Sequence, residues 1–407
     1  MTFRERLLAA WRGLPVDRVP LTTWCFGLPA PPHLAWEREG HPVPYWYSLR
    51  MEHLHTLPQP WLLEDDLRRV AAWHSLGVDD VLDVSVPWSV GPQVTWRDTA
   101  QVAGEQRILV RDYQTPAGDL HHAVRWTGED PGPGWVVQPQ HVPLFEDYTI
   151  PRAVRHLVGD PLDVPAAHCV YAAPDAEARA GFAARMADVA VAAKRVDAPV
   201  QAWSAFGMDA VVWMAGAEGA VLLAMDAPAA FAQLVEQVTE TDLARTELAA
   251  STPGVDMIVM RGWYSSTDFW SPRLFERYML PAVRRMAELA HRAGLPFAYV
   301  MTTGVERLGP RLADAGVDVL YFVDPVQDRF PLQRARELLG ERITLVGGTN
   351  ALSLVPGCAE RLEREVREAL DVLGPTGRFI LHPVDALFPD TPWAGVERLI
   401  ASWERYR

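Results

Sequence analysis

Short β-branched runs that end in polar residues alternate with helical stretches through the last third of the chain, and this alternation constrains the fold more than any other feature. Val317–Phe322 closes on Asp324, Ile343–Val346 on Gly347, Gly348, Thr349 and Asn350, and Phe379–Leu381 on His382 and Asp385. Strand-then-helix repetition implies a parallel sheet, because parallel neighbours need a crossover that a helix supplies. Polar residues gathered at the carboxyl ends of such strands are where an α/β barrel keeps its chemistry.

The same alternation extends backwards. Strands are expected at 19–24, 78–84, 199–203, 255–260, 297–301, 317–322, 343–346 and 379–381, with helices between most of them. Eight parallel strands close as a (β/α)8 TIM barrel, an α/β fold. An open doubly wound sheet is the competitor, but no Gly-rich dinucleotide fingerprint follows the first strand. Residues 91–143 break the pattern. Val94–Trp96, Ile108–Tyr113 and Leu120–Trp126 alternate in character and are split by turn signals such as Thr115-Pro116-Ala117-Gly118. They predict a small antiparallel β insertion in an otherwise single domain spanning 1–407.

Composition narrows the function. A net charge of −14 disfavours nucleic acid as a partner, since phosphate binding needs a concentrated basic face. No apolar run approaches the roughly 20 residues needed to span a bilayer, and the opening Met1-Thr2-Phe3-Arg4-Glu5-Arg6 reads as a charged amphipathic segment rather than a signal peptide. The expectation is a cytoplasmic protein with no membrane association and a small-molecule substrate, with homodimerisation an open option. Cys25, Cys169 and Cys358 are few and far apart, so neither a disulfide framework nor a CxxC metal site is visible.

The order of landmarks resembles the uroporphyrinogen decarboxylase superfamily. The segment Arg4 to Pro20, Ser271-Pro272-Arg273-Leu274-Phe275 through Pro281, Gly316-Val317-Asp318-Val319 leading to Asp324, Gly347-Gly348-Thr349-Asn350, and Phe388-Pro389-Asp390-Thr391-Pro392 carry the likeness over nearly the whole chain. It implies a (β/α)8 barrel. Two activities are then in play, porphyrinogen decarboxylation and corrinoid-dependent methyl transfer.

The decarboxylase pattern is matched only in part. Trp24-Cys25-Phe26-Gly27 stands where the resemblance implies an Arg-rich loop, Pro383-Val384-Asp385-Ala386 stands where it implies Gly-His-Gly, and Asp83 falls at about the place of the pyrrole-binding Asp. On the methyltransferase side, Thr115-Pro116-Ala117-Gly118-Asp119-Leu120 and Pro143-Leu144-Phe145-Glu146-Asp147-Tyr148 are similar to that branch. Its zinc site is not, because Met301-Thr302-Thr303-Gly304 replaces His-x-Cys and Asp385 lies near the place of the last Cys. No metal is expected there, since Zn²⁺ takes thiolate or imidazole ligands.

Candidate residues follow from strand ends. Asp83 and Asp385 could face a central pocket as a carboxylate pair, or each could cap a turn. His382 could act as general acid or as a metal ligand, or sit hydrogen-bonded in the rim. Arg261 could fork onto a substrate carboxylate, or form an internal salt bridge. Trp24, Trp203, Trp263 and Tyr264 would wall the pocket, while Asp324 and Asn350 would bind substrate or organise loops. His121 and His122, adjacent on a strand, point to opposite faces and cannot share a metal.

The preferred expectation is therefore a methyltransferase or demethylase acting on a small organic molecule, with catalytic Asp83, His382 and Asp385. No cofactor would be tightly bound; a corrinoid, carried by a corrinoid protein, or a folate would accept the methyl group. Cofactor-free decarboxylation of a carboxylated ring, and a non-catalytic ligand-binding barrel, are the alternatives.

Overall fold

A computed structural model describes residues 1–48, 61–126, 132–135 and 152–407. Its centre is a parallel sheet of seven strands: β1 (Leu82–Ser85), β2 (Val200–Ala205), β3 (Met257–Met260), β4 (Phe297–Val300), β5 (Val319–Val323), β6 (Thr344–Asn350) and β7 (Phe379–Val384). They pair in sequence order from β1 to β7, each with the next. All seven runs are buried throughout, as strands covered on both faces must be.

The period of two along each strand sorts side chains into two cores. Met257 and Val259, Ala298 and Val300, Val319 and Tyr321, Val346 and Ile380 share an inner cluster with Trp24 and Trp203. Ile258 and Met260, Phe297 and Tyr299, Leu320, Leu345 and Leu381 join the outer cluster under the helices. The helix Phe3–Trp11, opened by a Thr2–Glu5 capping box, sends Leu7, Ala10 and Trp11 into the inner cluster. Ala10 also accepts the Thr344 hydroxyl, which ties that helix to β6.

The strand expected at 19–24 is a correction. Those residues form no strand of the sheet; Leu21 makes an isolated parallel bridge to Leu381. The physical cause is Pro20, which has no N–H to give to a ladder. Its carbonyl accepts from Leu381 N, Thr22 N donates back to Leu381 O, and Asp79 N donates to Leu21 O. The segment thus touches both ends of the sheet, on β7 and just ahead of β1.

The insertion is an antiparallel sheet of Thr95–Ala103, Gln106–Thr115, Gly118–Arg125 and Ala153–Arg155, in that order. The last strand lies beyond the expected limit of 143. Arg111 and Asp98 face each other across the first pair and are joined by two hydrogen bonds. His121 pairs with Asp112 while His122 is buried, so the two do point to opposite faces. The Pro143–Tyr148 motif lies outside the described residues. Among those described, no single helix is long and apolar enough to cross a membrane.

Candidate active site

The loops that follow β3 to β7 enclose a cleft of about 500 Å³ at the carboxyl end of the sheet. Trp263 comes from the turn after β3, Thr302 and Thr303 follow β4, Gln327 follows β5, Asn350 ends β6, and Asp385 with Phe388, Asp390 and Thr391 follows β7. Five successive strands therefore place one wall each. Of the ten residues singled out as site candidates, Trp263, Asn350 and Asp385 line this cleft.

The floor holds most of the others. Trp24 is 2 % exposed and Trp203 1 % exposed, so neither walls an open pocket. Trp24 stacks on Tyr321 with centroids 5.0 Å apart and meets Trp203, Trp263, Phe322 and His382 within 6.0 Å. These rings close the inner core below the cleft. Sequence position places a tryptophan at a strand end but does not say whether it turns towards solvent or down into the inner core.

Asp83 lies under this aromatic layer. Its Oδ1 accepts from Gln201 Nε2 at 2.5 Å and from Trp203 Nε1 at 2.7 Å, whereas Oδ2 has no hydrogen-bond partner among the described residues. Burial pushes its carboxyl up to about 7, against the pull of the two hydrogen bonds and the more distant Arg69 guanidinium. Asp83 is thus poised between protonated and ionised near neutral pH. It does not line the cleft that Asp385 lines.

His382 is fully buried. Its Nε2 faces the Asp385 carbonyl at 3.4 Å, and a carbonyl only accepts, so Nε2 carries the proton and Nδ1 accepts from the Thr22 hydroxyl at 3.0 Å. Burial pushes the imidazole down to about 3. A neutral ring with both nitrogens engaged fits a tie between β7 and the Thr22 segment better than a proton donor.

Arg261 is buried in the internal salt bridge that was its alternative reading. Its Nε donates to Asp209 Oδ2 at 3.0 Å, and the guanidinium lies 4.8 Å from the Trp213 ring centre and 4.5 Å from that of Trp263. The other Asp209 oxygen accepts from the Tyr264 backbone N–H. The pair therefore fixes the turn that presents Trp263. Tyr264 packs edge-on against Phe269, and its carbonyl accepts from Trp270, away from the cleft wall.

Asp324 and Asn350 hold each other at 2.7 Å, and Asn350 Nδ2 also reaches Gln327. Asp324 is fully buried, and burial raises its carboxyl. The expectation that these two organise loops describes Asp324; Asn350 does that and also faces the cleft.

Sequence reasoning passed over Thr302, Thr303, Gln327, Phe388, Asp390 and Thr391. The signal was present, because Thr302 and Thr303 occupy the place of the missing His-x-Cys and Phe388 to Thr391 belong to a family landmark. These residues do not suit zinc: the Thr303 hydroxyl is given to Asp268, Met301 is buried, and among the described residues no three His, Cys, Asp or Glu side chains are grouped to hold a metal.

The sequence model described as uroporphyrinogen decarboxylase (URO-D) matches residues 153–406. A methyltransferase from Methanosarcina mazei has a similar structure, with a TM-score of 0.60 at 16 % identity over 100 % of this chain and 99 % of that one. The muconate lactonizing enzyme from Pseudomonas putida aligns over 78 % of each chain at 9 % identity, but its TM-score of 0.27 carries no argument about the fold. No curated protein matches.

Proposed function

The chain belongs to the uroporphyrinogen decarboxylase family, and from that premise we propose that it is an enzyme that moves a methyl group between a small organic molecule and an acceptor in the cleft above β3 to β7. The carrying observation is the chemistry of that cleft. Its described lining contains no Lys, Arg or His, so it offers nothing to grip the many carboxylates of a porphyrinogen. Asp83, the one match to the decarboxylase pattern, is buried against Trp203 and does not line the cleft. The fold neighbour is itself a methyltransferase, which supports the reading by analogy of fold only.

In such a transfer the departing heteroatom keeps the bonding pair while the acceptor supplies a new pair to carbon. Asp385, half-buried in the cleft wall, would give that heteroatom a proton, or would hold the donor in place where the donor is a cation. Trp263 and Phe388 supply apolar walls that orient the substrate, and Thr302 supplies a hydrogen bond. His382 and the Arg261–Asp209 pair act through others, by holding β7 and Trp263 in place. The acceptor in this reading is a corrinoid presented by a partner protein, or a folate. The whole chain acts as one barrel unit in which residues 20–22 take the place of the eighth strand, and the antiparallel sheet is an excursion at its rim.

The test is direct. Purified protein is given reduced cobalamin and a panel of methyl donors carrying ¹³C-labelled O-, S- or N-methyl groups, and methylcobalamin is followed by its absorbance and label. Label transfer that depends on the protein supports the proposal. Release of CO₂ from a carboxylated ring, with no label moved from any donor, would sink it.

A further inference from the structure

We propose that the cleft selects a methylated ammonium cation, an inference that rests on the reading of this cleft as the substrate site. Two carboxylates, Asp385 and Asp390, stand in its wall. Three more lie directly behind it: Asp324 is bonded to Asn350, Asp268 accepts the Thr303 hydroxyl, and Asp328 accepts the backbone N–H groups of Gly304 and Val305. Asp268, Asp324, Asp328 and Asp390 make no ion pair among the described residues, and no described base lines the cleft to offset them. Burial chiefly raises the carboxyls of Asp324 and Asp328, and Asp328 adds to the rise of the first as Asp268 does to that of the second.

Carboxylates ranged along a concave wall whose described lining carries no base repel anions and concentrate cations. Arg261, behind Trp263, is matched by Asp209 and lies between Trp213 and Trp263. Trp263 and Phe388 add aromatic surface of the kind that recognises quaternary ammonium groups. A hydrated inorganic cation gains little from such surface, whereas a methylated ammonium gains from both the rings and the carboxylates.

The chemistry agrees with the charge. When a methyl group leaves a quaternary nitrogen, that nitrogen keeps the bonding pair and departs as a neutral amine, with no proton required. The acceptor, a two-electron nucleophile such as a reduced corrinoid, supplies the pair that forms the new bond to carbon. A buried, neutral His382 is then no obstacle.

Isothermal titration calorimetry of the full chain with tetramethylammonium, tert-butanol and pivalate tests this without turnover. The three are similar in size and differ in charge. Tetramethylammonium is expected to bind at least about 10-fold more tightly than tert-butanol, with pivalate weakest. Asp390→Asn and Trp263→Phe should each weaken the cation, and added salt should do the same. Thermal denaturation of both variants checks that they fold. Equal or tighter binding of tert-butanol or pivalate, or cation binding indifferent to both substitutions, would overturn the inference. Cation binding without methyl transfer would contradict the enzyme reading and leave this one standing; methyl transfer from neutral or anionic donors alone would do the reverse.

Discussion

The indole N–H of Trp203 donates to Oδ1 of Asp83 at 2.7 Å, so the carboxylate that the sequence offers for catalysis is held by the very ring that covers it. The second oxygen is left without a described partner in a buried place. Such a group is cheapest when protonated.

A pH dependence of stability follows. Asp83 has its folded value raised to about 7, above the roughly 3.9 of an unfolded chain, so its contribution is fully present below the unfolded value and is lost as pH rises towards 7. Asp83→Asn removes that loss. Relative to wild type, the variant should gain about 1 kcal/mol per pH unit between pH 5 and 7, read from urea denaturation midpoints. A stability difference that is flat with pH would show Asp83 ionised throughout.

His382 titrates with the opposite sign. Its folded value of about 3 lies below the roughly 6.5 of a free imidazole, so its contribution is present above the free value and falls away as pH drops through 6.5 towards 3. Its ring resonances in an NMR titration should stay constant from pH 8 to pH 5. A midpoint near 6.5 would place His382 in contact with solvent and restore it as a proton donor.

A buried network behind β1 and β2 should govern stability without shaping the cleft. Arg245 donates to the Val86 carbonyl and to Tyr171 and pairs with Asp242, whose other oxygen accepts from Phe206 N and Gly207 N. Arg245→Ala leaves Asp242 buried without its charge partner, at a cost of about 3 kcal/mol. Differential scanning calorimetry should show the lower Tm. Unchanged stability would mean that the network rearranges or takes up water.

Gly347 sits in β6 with φ +146°, and a Cβ there would lie 2.2 Å from the Val323 carbonyl. Gly347→Ala should force β5 and β6 apart and sharply reduce the yield of folded protein, as circular dichroism and proteolysis would show. Wild-type resistance to protease would contradict the observed pairing.

Much of this fold is legible in the chain because buried parallel strands read as uninterrupted apolar runs. Seven expected strands overlap β1 to β7, with bounds shifted by up to four residues, and the antiparallel insertion declares itself through alternation and turn residues. The segment at 19–24 misleads because its apolar content is that of a strand while Pro20 denies it a full ladder. Within the site, Asp385, Asn350 and Trp263 are legible as strand ends. Depth is not: Asp83 and Trp203 have the right strands but sit on the inner face, one below the other. The partner of Arg261 is equally hidden, since Asp209 lies 52 residues away on a separate helix.

The most direct measurement compares two clefts. A second one, of about 510 Å³, lies between the rim sheet and the helix Ala217–Asp226 and is lined by His156, Asp160 and Glu218 among others. Methyl transfer from the best ¹³C-labelled donor to reduced cobalamin is measured for wild type, Asp385→Asn and Glu218→Gln, with Tm taken for each. If the chemistry belongs to the cleft above β3 to β7, Asp385→Asn should lower the transfer rate by about 100-fold or more at unchanged Tm, and Glu218→Gln should leave it at the wild-type value. A wild-type rate in Asp385→Asn, or a collapse confined to Glu218→Gln, would contradict the account.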